Sequence, residues 1–237
     1  GGRALKTNQG KRGVRTHGLV EQVPRGARLE LVGGRFATGG GAINAAVTFA
    51  RQGRTSSFAG KSGRDPAGAE VLRVLKKEGV GTKHVVVDDK FGTGYSVLLL
   101  ASNGERTVLV YRGASHHLRQ EDFYKQIMEA DWIYISSLAG NLELLRRILM
   151  HAHKSGIKVA YNPGSEELAN PKKLRKLLPA IHVIMANFEE MQLLFGGERP
   201  VDTIVNGMAH CPYLVLTDGP RGSYATDGQS IYYAGQY

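Results

Sequence analysis

Three consecutive glycines, Gly39 to Gly41, stand just ahead of Asn44 and an apolar stripe at helical spacing, Ile43, Ala46, Val47 and Ala50. Glycine lets backbone N–H groups approach a ligand with no Cβ in the way. A helix start beside it leaves unpaired N–H groups and the positive end of the helix dipole. Such a place suits a polyhydroxy or anionic ligand, although Asn44 could equally serve as a helix cap. A second glycine-punctuated turn, GKSGRDPAG from Gly60 to Gly68, follows and carries Asp65. Farther along, Asn187 and Glu190 stand three apart, and Thr217, Gly219 and Gly222 form a T-x-G-x-x-G run. Asn187 with Glu190 reads either as a capping box or as a polar pair facing a phosphate. The later glycines could border a ligand or simply shape a tight turn.

Two nucleotide-loop readings fail on spacing. A dinucleotide fingerprint needs a small third residue for helix–strand packing, and Asn44 stands there after Gly39 and Gly41. A P-loop needs a glycine five residues before Gly60, and that residue is Thr55.

The elements that must position these residues form a mixed α/β pattern. Pro66 suits the first turn of a helix anchored by Leu72 and Leu75. GYSVLLLA and ERTVLVY flank Ser102-Asn103-Gly104, which predicts a hairpin. From Trp132 strand and helix alternate: WIYISS, a stripe of Leu142, Leu145, Leu149 and Ala152, IKVAYN, IHVIMAN, FEEMQLLF and YLVLT. That order predicts a mostly parallel sheet with right-handed crossovers. Ligands bind beyond the carboxyl ends of such strands, where Asn162, Asn187 and Thr217 fall. Asn162 before Pro163 could also be a plain turn residue. Residues 1–37 are polar and glycine-rich, with short strands predicted around Leu19–Val23 and Leu29–Val32.

The opening motifs, in this order along the chain, resemble the pfkB (ribokinase-like) family of sugar and nucleoside kinases. Gly40, Gly41, Ala42, Asn44, Ala46, Gly53 and Gly63 follow its first signature, and Asp65 with Gly68 continues it. Tyr161-Asn162-Pro163-Gly164 resembles its strand-end N-P segment, Asn187 and Glu190 its N-x-x-E motif, and Thr217-x-Gly219-x-x-Gly222 its nucleotide-contacting turn. The stretch from Gly92 to Ala114 resembles its β-lid.

The resemblance implies a single, partial ribokinase-like domain over residues 1–237. Its fold would be a three-layer α/β/α sandwich with a mostly parallel central sheet and a small lid from about 12–37 and 91–114. It implies ATP-dependent phosphorylation of a sugar or nucleoside hydroxyl. Gly40, Gly41, Asn44 and Asp65 would bind the acceptor. Asn187, Glu190, Thr217, Gly219 and Gly222 would face nucleotide and phosphate, with Glu190 reaching Mg²⁺ through water. ATP and Mg²⁺ are the implied cofactors, and a homodimer through the lid strands the implied assembly.

Family members carry a hydroxyl-gripping aspartate on a first strand and a catalytic base in a late G-A-G-D motif. Here the first aspartate is Asp65, and no G-A-G-D occurs. The chain is therefore expected to be truncated at both ends, to contain no catalytic base and to turn over poorly. The alternative is a non-catalytic ligand-binding or regulatory protein on the same fold. Gly41, where ribokinases commonly carry lysine, and the absence of an acidic residue at Leu138-Ala139-Gly140 both argue against ribose.

Composition bounds the partners. The 237 residues carry a net charge of +10, with eight Lys/Arg against Glu21 and Glu30 in the first 35 positions and a KKLRK run at Lys172 to Lys176. No aromatics interleave these basic residues for base stacking, and one cysteine cannot build a zinc finger. The charge reads first as a solvated basic surface, with a nucleic-acid footprint as the minor alternative. No apolar run approaches the ~20 residues that cross a bilayer. Cys211, the single cysteine, reads as a small buried hydrophobe and suits a reducing cytoplasm. His116-His117 reads as exposed loop, and Asp88-Asp89 as a solvated turn.

Overall fold

The structure, a computed structural model, describes residues 33–100, 106–122 and 129–236. The chain divides after Ala37 into two units. In the first, residues 33–37 are exposed and have no regular structure. The strands expected around Leu19–Val23 and Leu29–Val32, and the part of the lid expected over 12–32, lie outside the described residues.

The second unit opens with α1 (Gly41–Arg51), β1 (Ser57–Gly63), α2 (Pro66–Lys77) and β2 (Gly81–Asp88). β1 and β2 pair in parallel, joined by the crossover helix α2. Asp65 caps α2, accepting from the N–H of Gly68, and Pro66 fills its first turn. Ala46, Leu75 and Val80 form a small core there, flanked by Ile43, Val47, Phe58 and Val71.

β3 (Tyr95–Leu100) and β4 (Arg106–Tyr111) then pair antiparallel, as the Asn-Gly signal predicts. The residues of the turn itself, 101–105, lie outside the described residues.

From β5 (Trp132–Ile135) the chain alternates as expected. α3 (Leu142–Lys154), β6 (Lys158–Tyr161), the short helices α4 (Ser165–Leu168) and α5 (Pro171–Arg175), and β7 (Val183–Asn187) follow. Then come α6 (Phe188–Phe195), α7 (Pro200–Met208), β8 (Tyr213–Thr217), β9 (Ser223–Thr226) and β10 (Ile231–Ala234). Six strands form one sheet in the order β10-β9-β8-β7-β6-β5. β5 to β8 are parallel, and β9 and β10 return antiparallel.

Each parallel step moves one strand in the same direction, so right-handed crossovers lay α3 to α7 on one face. Leu144, Leu145, Ile148, Leu149 and Ala152 turn one side of α3 to the core. Along β8 the alternation is clean: Leu214 and Leu216 are buried, while Tyr213 and Thr217 are exposed. Leu145, Leu174, Ile184, Leu194 and Leu214 are essentially without solvent contact. Each such side chain contributes roughly 2 kcal/mol of burial.

The expected α/β class with a mostly parallel sheet holds. The described strands make three hydrogen-bonded pieces, β1 with β2, β3 with β4, and the six strands from β10 to β5. Cys211 is buried, and its thiol faces the carbonyl oxygens of Ile181 and Tyr213, as a small core residue would.

Candidate active site

The four parallel strands end side by side, and Asn162, Asn187 and Thr217 sit on that carboxyl edge. Asn187 and Thr217 are register partners at the tips of β7 and β8. The Asn187 side chain accepts from the Glu190 N–H at 2.8 Å, and Glu190 Oε2 accepts from the Asn187 N–H at 3.0 Å. The capping box is thus fully formed. Asn187 is nevertheless exposed on the edge beside Thr217, so capping leaves the pair open to a ligand.

Gly222 follows Thr217 at φ 89, and a Cβ there would run into the carbonyl oxygen of Ala234. The turn carrying Gly219 therefore folds back tightly against β10. Asp218 within it is clamped by Arg221 through two bonds of 2.6 and 2.8 Å. This bidentate contact holds its carboxyl below the ordinary range. Asp227, farther on, accepts from the N–H groups of Gln229 and Ser230 and from the Tyr232 hydroxyl. Both aspartates are committed to their own turns.

On the other flank of the edge, Gly40 caps α1 at φ 99, and no side chain caps the first turn. Gly41 lies against the residue after β5: a Cβ on it would stand 3.1 Å from the Ser136 Cβ. Gly41 therefore lets the helix start lie close to the β5 tip, while Gly40 supplies the left-handed turn before it. Asn44 is exposed one turn on. Ser136 was not singled out from the sequence, because WIYISS gives only the strand and no signal for its contact with Gly41. From β5 to β8 are three strand spacings, so the two flanks lie about 14 Å apart.

Asp65 and Asn162 serve the framework. Asp65 Oδ1 accepts from Gly68 N–H at 2.8 Å and from the Thr93 hydroxyl at 2.7 Å, while Oδ2 accepts from Thr93 N–H at 2.7 Å. The Thr93 N–H above all, then that of Gly68, holds this carboxyl below the ordinary range. Its oxygens face protein donors at the start of the lid. Asn162 donates from Nδ2 to the Met185 carbonyl at 2.8 Å and so ties β6 to β7.

Two bland readings need correction. Asp88 is no solvated turn residue: it meets the Lys61 ammonium at 3.0 Å and accepts from the N–H groups of Lys90 and Phe91. Asp89 beside it is exposed and pairs with exposed Arg64. Lys61, whose side chain is only 8% exposed, also reaches Asp122 at 3.4 Å and the His117 carbonyl at 3.3 Å. One buried cation thereby fastens both ends of the β3–β4 ribbon. His117 stacks on Phe91 at 3.6 Å, whereas His116 is exposed. Periodicity could not reveal either contact, since the partners lie tens of residues apart.

Among the described residues no group of three or more His, Cys, Asp or Glu side chains could hold a bare metal ion. Mg²⁺ keeps several waters and commonly leans on one or two carboxylates and substrate phosphates. Glu190, fixed at the edge through Oε2, fits that outer role.

A glycine-opened helix start and a polar pair on neighbouring strand tips thus stand at one carboxyl edge. The profile of the pfkB family carbohydrate kinases matches residues 17–236. The chain belongs to this family. It is 26% identical to probable fructokinase-5 of Arabidopsis thaliana over 225 residues, covering 86% of this chain and 68% of that protein. It is 30% identical to the ribokinase of Haemophilus influenzae over 172 residues, covering 69% of this chain and 53% of that one. The apo fructokinase structure from Vibrio cholerae superposes with a TM-score of 0.70 at 22% identity, covering 83% of this chain and 72% of that one. Among the described residues no helix is long and apolar enough to cross a membrane.

Proposed function

We propose that this chain is the acceptor-binding and central part of an ATP-dependent sugar kinase, with fructose as the first acceptor to try. The observation that carries the reading is the shared carboxyl edge, with Gly40, Gly41, Asn44 and Ser136 at one flank and Asn187, Glu190 and Thr217 at the other. Phosphoryl transfer depends chiefly on positioning and charge neutralisation. In this reading Asn44 and the α1 start orient acceptor hydroxyls. Thr217, Gly219 and Gly222 border the nucleotide, and Asn187 fixes Glu190 toward the hydrated Mg²⁺ that MgATP brings. The reaction also needs a base for the acceptor hydroxyl. Asp65, Asp218 and Asp227 each hold protein donors instead, so the chain by itself is expected to turn over poorly.

The reading extends to assembly and compartment. Among the described residues no third strand pairs with β3–β4, a two-stranded ribbon is marginal in water, and this one exposes apolar pairs on both faces: Val97 opposite Leu109, and Leu98 opposite Val108. A second copy covering the ribbon is the assembly we favour, in a cytoplasmic setting that suits the lone buried thiol.

The deciding experiment measures ADP release with MgATP and fructose, ribose, other hexoses and nucleosides, on this chain and on a C-terminally extended one. Sugar-dependent release by the extended protein alone supports the reading. Equal release by the 237-residue chain sinks the claim of poor turnover. Silence from both, with sugar still bound, favours a binding protein on a kinase fold.

A further inference from the structure

Glu167 is fully buried on α4, yet among the described residues no cation pairs with it. Four donors surround it instead. Oε1 accepts from the N–H groups of Leu138 at 2.6 Å and Gly140 at 3.0 Å. Oε2 accepts from Gly164 N–H at 2.8 Å and the Ser137 hydroxyl at 3.0 Å. Burying a carboxylate is costly unless its lone pairs are met, and charge-assisted bonds of this length are the strong kind. The donors come from two loops, the one after β5 and the one after β6. The first is unusual, since Ala139 at φ 54 and Gly140 at φ 77 follow one another in the left-handed region. A non-glycine residue keeps that conformation only where its surroundings over-determine it. N–H groups converging from such a loop form an anion-holding concavity, and here the anion is a side chain of the protein.

The same loop carries Ser136, which meets Gly41 at the start of α1. It also carries Gly140, which lies against Glu166. Glu166 in turn pairs with Arg112 at the end of β4 at 2.9 Å. What fixes the loop therefore fixes the wall of the sugar-side flank. We propose that Glu167 is a positioning residue for the acceptor, holding the β5–α3 loop in the one shape that sets Ser136 against the α1 start. The proposal rests on the sugar-kinase reading above. The nucleotide flank, at the tips of β7 and β8, receives no bond from Glu167.

The test is Glu167→Gln, which keeps the volume but turns one acceptor oxygen into a donor facing N–H groups. Fructose and ATP binding would be titrated separately on the 237-residue chain. Amide exchange at Leu138, Gly140 and Gly164 would be followed alongside. We expect fructose to bind about tenfold more weakly, ATP to be held as before, and the three amides to lose protection while those of β7 and α6 keep it. Equal weakening of both ligands, or unchanged fructose binding, overturns the proposal. If the parent chain binds neither ligand, the kinase reading fails by itself. Exchange then decides: selective loss at the three amides upholds Glu167 as the loop's holder, and unchanged or uniform exchange refutes it. Should Glu167→Gln not fold, Ser137→Ala removes one donor and leaves the carboxylate. It should show the same selectivity in smaller measure, and a uniform effect or none there also overturns the proposal.

Discussion

In the proposed function Asn187 does two jobs at one position, and they can be separated. Its side chain caps α6 while standing on the ligand edge beside Thr217. Asn187→Ala should cost about 1 kcal/mol through loss of the cap and also weaken MgATP. Asn187→Ser can still cap, so it should keep most of the stability while ATP affinity falls. Denaturant melts and ATP titrations on both variants provide the check, and full ATP affinity in Asn187→Ser would remove Asn187 from the phosphate site. The capping box was legible in the sequence because cap and carboxylate are three residues apart. The register with Thr217 was not, because it is set by how β7 and β8 align.

The element that most depends on one residue is the β3–β4 ribbon. Lys61 anchors it through Asp88 before the first strand and through Asp122 and the His117 carbonyl after the second. The Asp88 carboxyl is held at about 2, from an ordinary 3.8, first by the Lys90 N–H and next by the Lys61 ammonium. The folded value lies below the unfolded one, so this contribution is complete above pH 3.8 and is lost as pH falls through about 2. Urea midpoints taken from pH 5 to pH 2 should fall across that window. Lys61→Met should lower the midpoint already at pH 5, since it leaves two carboxylates in a poorly solvated place, and should flatten the acid limb. A pH profile identical to the parent's would show that the triad contributes nothing. The hairpin strands could be read from alternation and the Asn-Gly turn. The triad joins residues 27 and 61 positions apart, and no local pattern encodes that.

At the scale of the whole molecule, the ribbon's apolar pairs bear on assembly. If a second copy covers them, sedimentation should give a dimer at micromolar concentration, and Leu109→Lys should yield a folded monomer. A monomeric parent chain would set that assembly aside. A separate prediction concerns the main core. Leu194→Ala, at a site with no solvent contact, should cost about 3 kcal/mol and leave the ratio of sugar to ATP affinity unchanged. A change in that ratio would mean that the core transmits to the edge.

The sequence by itself determined what short-range chemistry can determine. Pro66 after Asp65 marks a helix start, alternation in YLVLT marks a half-buried strand, and the ordered motifs from Gly40 to Gly222 mark the family. Each signal lies within a few residues, where φ, ψ and hydrogen-bonding reach are set by the residues themselves. Only the tertiary structure decided which of these polar groups meet. It closed Gly41 on Ser136, gave the Asp65 carboxylate to Thr93, buried Lys61 between two aspartates and wrapped two loops around Glu167. Those contacts depend on strand order and crossover packing, and burial then makes each charge find whatever donors or acceptors the fold has brought within about 3 Å.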